Sequence, residues 1–342
     1  MQPALSINNR GALKSMSKTS FHVLSMLANG DFLSGEAIGK ELGFSRMAIS
    51  KAIKCLTRQG LGITSVPGKG YQLESPVQLL DREVICAALT GYGVRKCSIE
   101  VLQNVESTSD YLLEQSRVKD VNRSVCLAES QSRGRGRRKR EWYTSPYRNV
   151  ALSIGWRFND GMSDLSGLAI AAGITIVRTL HEAGFDRNIG LKWPNDIIWN
   201  DRKLGGLLID VRGEHDGPCL AVLGLGLNIS LSGEDQLNID QACMSLEKIS
   251  SDPIDRHALV IDLIRALTVL FEDYVSSGFE SFQHSWSGYD RLYGREVKVI
   301  KGDKYFSGVA MGIDELGALL LDEGKGTFSK FLSGDVSLRL DQ

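Results

Sequence analysis

The sequence predicts an α/β (α+β) chain in three parts: a small helical domain closed by a hairpin, a central domain built on a mixed sheet, and a short β-barrel at the C-terminus. Three observations predict it. Residues 1–75 are basic, with nine Lys/Arg against four Asp/Glu, whereas the rest of the chain holds 31 against 37. The middle alternates apolar strand-like runs with two helical patterns, one rich in Ala and Ile around Leu165–Leu180 and one amphipathic around His257–Ser276. From about residue 289 short apolar runs alternate with turns.

At 342 residues the chain is too long for one small domain. Its 42% apolar and 24% charged content is ordinary for a protein with a sizeable core. No apolar run is long enough to span a bilayer, and Met1 to Arg10 lacks the apolar stretch of a secretory signal. A cytoplasmic location, with no membrane partner, is expected. Cys55, Cys86, Cys97, Cys126, Cys219 and Cys243 include no C-x-x-C pair and have no His at ligand spacing. They read as free thiols in a reducing compartment, and no protein-held metal is expected.

In the first part, Val23, Leu24, Met26 and Leu27 make an apolar helical face, with Thr19 or Ser20 as N-cap. Ser34 precedes a short second helix, Gly35 to Leu42, and Gly43 can take the left-handed conformation that ends it. Ser45 then caps a third helix from Arg46 to about Gln59, with Ile49, Ile53 and Leu56 on one face. Ile63–Val66 and Tyr71–Leu73 flank Pro67-Gly68-Lys69-Gly70, a hairpin with a basic tip. Helix, glycine turn, basic helix and hairpin make a winged helix-turn-helix, whose third helix would enter a major groove while the wing meets phosphates. The candidate DNA contacts are Gly35, Ser45, Arg46, Met47, Ser50, Lys51, Lys54 and Lys69. A three-helix protein-interaction module with solvated lysines is the competing reading.

Two central segments carry the chemistry. From Arg133 the chain reads Arg-Gly-Arg-Gly-Arg-Arg-Lys-Arg, then Glu141-Trp142, between the strand-like runs Val125–Ala128 and Val150–Ile154. Gly134 and Gly136 allow close backbone approach to a ligand, and arginines between them supply forked donors to carboxylate and phosphate oxygens. The spacing misses G-x-G-x-x-G and no helix follows directly, which argues against a dinucleotide site. RNA binding and a plain solvated loop stay open. The second segment, Leu191 to Asp210, reads as a strand, a turn and a strand that opens on Gly205-Gly206. It places Lys192 beside Trp193 and Lys203 at the turn, two cations able to stabilise charge developing between a carboxylate and an α-phosphate. A hairpin with exposed lysines is the alternative.

The runs AESQSRGRGRRKREW, KWPNDIIWNDRKLGGLLID and GLGLNI resemble the signature segments of biotin–protein ligases. VPGKGYQL in the winged helix resembles the bifunctional subclass, the biotin-operon repressors. GREVKVI, GIDELGALLL and GDVSLR resemble that subclass's small SH3-like barrel. The resemblance covers the whole chain in order. It implies that Ser107, Thr108 and Gln131 meet the biotin ring, and that Arg135, Gly136 and Arg137 belong to the loop that closes over biotin and its adenylate. It implies too that Lys192 lies beside the biotin carboxylate, Lys203 is linked to the phosphate and Asn228 lies near the nucleotide. Gly134, Gly205 and Gly206 complete the expected adenylate site, and Lys192, Arg137 and Lys203 are the expected catalytic groups. The chain departs from the family pattern twice: Ser109 stands where Asn is common, and Lys139 where Gly often follows the Arg pair. A shorter hydroxyl at 109 can still donate a hydrogen bond, with less reach.

The expected domains are 1–76, the DNA-binding winged helix; 77–288, the catalytic domain, with strands near 150–158, 191–199, 204–212 and 220–229; and 289–342, the SH3-like barrel. The reaction implied is ATP-dependent, with Mg²⁺ as the partner of ATP. Biotin and ATP give biotinyl-5'-AMP, and biotin then passes to a lysine of the biotin carboxyl carrier protein, an acetyl-CoA carboxylase subunit. Operator DNA and a homodimer formed when adenylate is bound are the other expected partners, with biotinyl-5'-AMP as corepressor of biotin-biosynthesis genes. A metabolite-sensing transcription factor without ligase activity and a lipoate-attaching enzyme are the alternatives.

Overall fold

The computed structural model describes residues 17–159, 161, 165–213, 217–237, 239, 241–324, 326–333 and 336–340. Residues 1–16 of the expected first domain, the Met1–Arg10 segment among them, lie outside the described residues, as do Gly334 and Asp335 of the C-terminal resemblance. Contacts divide the chain into two units, Met1–Leu79 and Leu80–Gln342.

In the first unit α1 (Lys18–Leu27), α2 (Gly35–Leu42) and α3 (Arg46–Arg58) precede a hairpin of β1 (Ile63–Val66) and β2 (Gly70–Leu73). The cap of α1 is Ser17, whose Oγ accepts from the Ser20 N–H at 3.1 Å, not Thr19 or Ser20. Ser20 lies one turn inside and is buried, so its hydroxyl has no access to the helix start and bonds Ser17 instead. Ser34 and Ser45 cap α2 and α3, and Gly43 ends α2 at φ 68°. Leu24, Leu27, Ile38, Ile49, Leu56 and Leu73 are fully buried between helices and hairpin. Leu33 and Tyr71 exchange backbone hydrogen bonds, adding a third short arm to the wing.

The second unit is built on a seven-stranded sheet in the order β3-β4-β7-β11-β10-β9-β8. Its strands are β3 (Ser98–Leu102), β4 (Ser124–Ala128), β7 (Asn149–Phe158), β8 (Ile189–Lys192), β9 (Asp196–Trp199), β10 (Arg202–Gly213) and β11 (Cys219–Asn228). Only β3 and β4 pair in parallel, so the sheet is mixed and mostly antiparallel. The run 191–199 is not one strand. Pro194 has no N–H for a ladder, and Trp193-Pro194-Asn195 forms the turn between β8 and β9.

One face of the sheet packs on α6 (Leu168–Glu182) and α8 (Arg256–Ser277), with α4 (Arg82–Gly91) against α8. Helix α6 starts three residues later than expected, because Gly167 at φ 78° turns the chain into it. On the other face α5 (Thr108–Gln115) places Leu112 and Leu113 over Cys126, Leu220 and Val222. Further along that face the cross-strand rows are small at their centre: Ala128, Ala151, Gly226 and Gly206 in one, and Ser153 and Gly224 between Cys126 and Leu208 in the next. Side chains alternate across a sheet, so Gly206, Gly224 and Gly226 give this floor a centre without Cβ bulk. A two-stranded ribbon, β5 (Gly134–Arg135) and β6 (Glu141–Trp142), carries the Gly/Arg loop. Two short helices, α7 (Gly233–Leu237) and α9 (Glu280–Gln283), lie outside the sheet.

The expected SH3-like part is a five-stranded antiparallel sheet ordered β15-β14-β13-β12-β16, with β15 and β16 at its edges. Its strands are β12 (Glu296–Lys301), β13 (Lys304–Ile313), β14 (Leu319–Gly324), β15 (Thr327–Phe331) and β16 (Val336–Leu340). It joins the central domain directly: the Trp193 indole donates to the Gly317 carbonyl at 3.0 Å, and Arg295 forks onto Asp201.

Candidate active site and nucleic-acid interface

An open cleft lies above the glycine floor. Ser107, Thr108, Ser109, Gln131, Arg135, Gly136, Arg137, Lys192, Lys203 and Gly206 all line it, although they come from six separate stretches of chain.

The N-terminus of α5 builds one end. Ser107 caps the helix, its Oγ accepting from Asp110 N, which brings Thr108 and Ser109 into the first turn and buries both. Gln131 accepts two hydrogen bonds at Oε1, from the Thr108 N–H at 2.8 Å and its hydroxyl at 3.1 Å, and donates from Nε2 to Thr144 at 3.2 Å. The amide orientation is therefore fixed by a backbone donor.

The Gly/Arg loop forms the roof. Arg135 forks onto Asp210 at 3.1 and 2.7 Å, and its Nε lies 2.9 Å from Asp110. Burial disfavours its charge, but the bonds and charge of Asp210 and Asp110 outweigh this and raise its pKa above the usual guanidinium value. Arg137 reaches Asn195 at 3.4 Å. Arg138 and Lys139 both sit at positive φ, 57° and 60°, so Lys139, the departure from the family's glycine, occupies a backbone conformation that glycine takes without cost.

Lys203 is set by a bulge between β10 and β9, its backbone bonded to Ala242 and Met244. Its ammonium lies 2.7 Å from Asp196 and 5.5 Å over the Trp142 ring. Lys192, half-buried, ends β8 at the same cleft. Asn195 ties the turn after it to Leu207, bonding through both backbone and side chain.

Three expected residues lie behind the cleft rather than on it. Gly134 is buried where a Cβ would overlap the Trp142 carbonyl, so it permits the β5–β6 pairing. Gly205 backs onto the Gly226 carbonyl. Asn228 is buried, donates to the Met244 carbonyl at 3.2 Å and leaves Oδ1 without a partner among the described residues. The structure also adds residues that sequence reasoning passed over. The Trp142 indole lies on Gly226, where any Cβ would overlap it, with its N–H unbonded. Gly224 lies beneath Ser109. The alternation of glycines in GLGLN and the Trp that ends the Arg run were the available signals.

On the first unit, Arg46, Met47, Lys51 and Lys54 are exposed on α3, and Met47 is 81% exposed. Ser50 is half-buried. The Ser45 hydroxyl is engaged as the α3 cap at 3.2 Å from Ala48 N. Gly35 packs against the Tyr71 ring, where a Cβ would stand 3.2 Å away, so its part is helix packing. Lys69 sits at the wing tip, 5.8 Å over the Phe32 ring. Among the described residues no group of three or more His, Cys, Asp or Glu is placed to hold a metal, and no helix is long and apolar enough to cross a membrane.

Comparison with known proteins matches residues 101–228 to the Biotin/lipoate A/B protein ligase family, 19–72 to an HTH domain and 292–339 to the Biotin protein ligase C terminal domain. The bifunctional ligase/repressor BirA of Escherichia coli (strain K12) is 36% identical over 318 residues, covering 93% of this chain and 96% of its own. The biotin–[acetyl-CoA-carboxylase] ligase of Mycobacterium tuberculosis is 29% identical over 262 residues, 75% of this chain and 95% of its own. A structure of the biotin protein ligase from Aquifex aeolicus in complex with biotin and ATP shares the fold, with TM-score 0.59 at 22% identity over 71% of this chain and 99% of that one. With identity at this level over nearly the whole length, this chain belongs to the bifunctional ligase/repressor family of biotin–protein ligases.

Proposed function

We propose that the cleft carries the two steps of an ATP-dependent biotin–protein ligase and that the first unit makes the same chain an operator-binding repressor. The observation that carries the reading is convergence. A polar pocket of hydroxyls and one amide at the α5 end meets a cationic wall that includes Arg135, Arg137, Lys192 and Lys203, over a floor that admits a flat ligand. The biotin carboxylate attacks the α-phosphate of ATP and releases pyrophosphate. The carrier lysine amine then attacks the acyl carbon and releases AMP. The first step brings two anions together, the second develops negative charge on the acyl oxygen and the departing AMP, and cations already fixed in the cleft lower both costs. In this scheme Arg137 holds the adenylate from the roof, Lys192 faces the carboxylate, and Lys203, now on Asp196, serves the phosphate.

Mg²⁺ arrives with the nucleotide. The nearby carboxylates, Asp110, Asp196 and Asp210, are already paired with Arg135 or Lys203, so the phosphates are its main ligands. The roles divide along the chain as 1–76 for DNA, 77–288 for catalysis and 289–342 for the C-terminal β domain. The biotin carboxyl carrier protein is the acceptor and the cytoplasm the place of work. Arg46, Met47, Ser50, Lys51 and Lys54 meet the operator, and the adenylate promotes the homodimer that reads it.

ATP–pyrophosphate exchange tests this. Exchange driven by biotin and not by lipoate supports it. Exchange driven by lipoate would reassign the enzyme, and biotin binding without exchange would leave a metabolite-sensing repressor.

A further inference from the structure

Under the α5 end of the cleft runs a chain of hydroxyls whose protons can be counted. Gln131 Oε1, oriented by the Thr108 N–H, accepts the Thr108 hydroxyl proton at 3.1 Å. Thr108 Oγ1 also lies 2.7 Å from Ser153 Oγ, which lies 2.9 Å from Ser109 Oγ. Each hydroxyl has one proton. With that of Thr108 committed, Ser153 must donate to Thr108, and Ser109 must donate to Ser153. The opposite order would leave the Thr108 and Gln131 oxygens 3.1 Å apart with no proton between them. Ser153 is fully buried on β7, beside Gly224 in the floor. Ser109 therefore turns only lone pairs toward the cleft, contrary to the expectation from its sequence position that it donates.

We propose that Ser153, fully buried beneath the cleft lining, is a positioning residue that fixes Ser109 as a hydrogen-bond acceptor, so that the pocket selects an N–H of the biotin urea at that point. The proposal rests on the biotin reading above. It also explains how serine replaces asparagine at 109. An amide presents a donor or an acceptor according to its flip, whereas a lone serine can rotate. Ser153 removes that choice.

The test measures biotin binding to the full chain by calorimetry, with pyrophosphate exchange alongside, for wild type, Ser153→Ala and Ser109→Ala. Both mono-N-methyl urea derivatives of biotin serve as probes. Ser153→Ala is expected to raise the Kd and KM for biotin about tenfold with kcat within about twofold, the loss of one buried hydrogen bond. One N-methyl derivative is expected to bind wild type at least about tenfold more weakly than biotin, and that penalty to shrink to about threefold or less in both variants. If Ser153→Ala does not fold, Ser109→Ala carries the same comparison. An unchanged penalty in the variants, or a fall in kcat with Kd unchanged, overturns the role of Ser153. No binding of biotin by wild type overturns the biotin reading itself.

Discussion

Arg137 enters the cleft from a loop whose next two residues are held in left-handed backbone, and its contact to Asn195 is long, 3.4 Å. Its guanidinium lines the cleft, where the bound adenylate would add anionic partners. Arg137→Ala is expected to speed release of biotinyl-adenylate by the loss of about 1.5–3 kcal/mol, one charge-assisted hydrogen bond, with the melting temperature almost unchanged. Rapid mixing and a thermal melt check this; unchanged release with a lowered melt would make the arginine structural. Lys192→Gln should keep the fold and slow pyrophosphate exchange, because a neutral amide cannot offset the approach of carboxylate to phosphate. Wild-type exchange in this variant would move the role to Lys203. At this scale the cations were legible because charge beside glycine is unusual in sequence. The hydroxyls proposed to meet the biotin ring were located only through the resemblance. Ser153 was not legible at all, since a serine within the strand ALSIGW shows its use only when β7 is laid beside α5.

Elements were more legible than their ends. The helical face of Ile49, Ile53 and Leu56 appears in the structure as the buried side of α3. It leaves Lys51 and Lys54 outward. If that side meets phosphates, Lys51→Gln with Lys54→Gln should weaken DNA binding across sequences and reduce the slope of log affinity against log salt by about 2. A filter or fluorescence titration at several salt concentrations gives the slope, and an unchanged one would remove these lysines from the interface. The turn inside 191–199 was hidden because both flanks are apolar and only Pro194 marks the break. The start of α8 carried no sequence signal for its role as an anchor. Arg256, 3% exposed, meets Glu129, 2% exposed, and the Asn149 carbonyl, while Glu129 also takes the Leu80 N–H. Arg256→Met should lower stability by about 3–5 kcal/mol, because it strands a buried carboxylate. Chemical denaturation measures this, and a loss below about 1 kcal/mol would show that Glu129 finds water or a proton instead.

For the molecule as a whole, the reading joins catalysis to repression through one ligand. The adenylate must bind the dimer-competent state more tightly than the other, or no coupling exists. Sedimentation with and without biotin plus ATP should show a tighter dimer in their presence, and operator binding at fixed salt should follow it. Equal dimer constants would falsify the coupling even with both activities intact. The order of parts along the chain was legible because each carries its own periodicity and charge. The attachment of the C-terminal sheet to the central domain through Trp193 and Arg295 was not, since no local pattern announces it. The resting place of Trp142 has an optical consequence. Trp193, Trp199 and Trp286 have their indole N–H groups bonded within the fold, and Trp156 is stacked on Phe271. Trp142 lies on bare glycine beside the ammonium of Lys203, its N–H without a partner among the described residues. Its emission is therefore expected to change colour and yield as the cleft fills, so that a titration of the intrinsic fluorescence with biotin would report occupancy without a label.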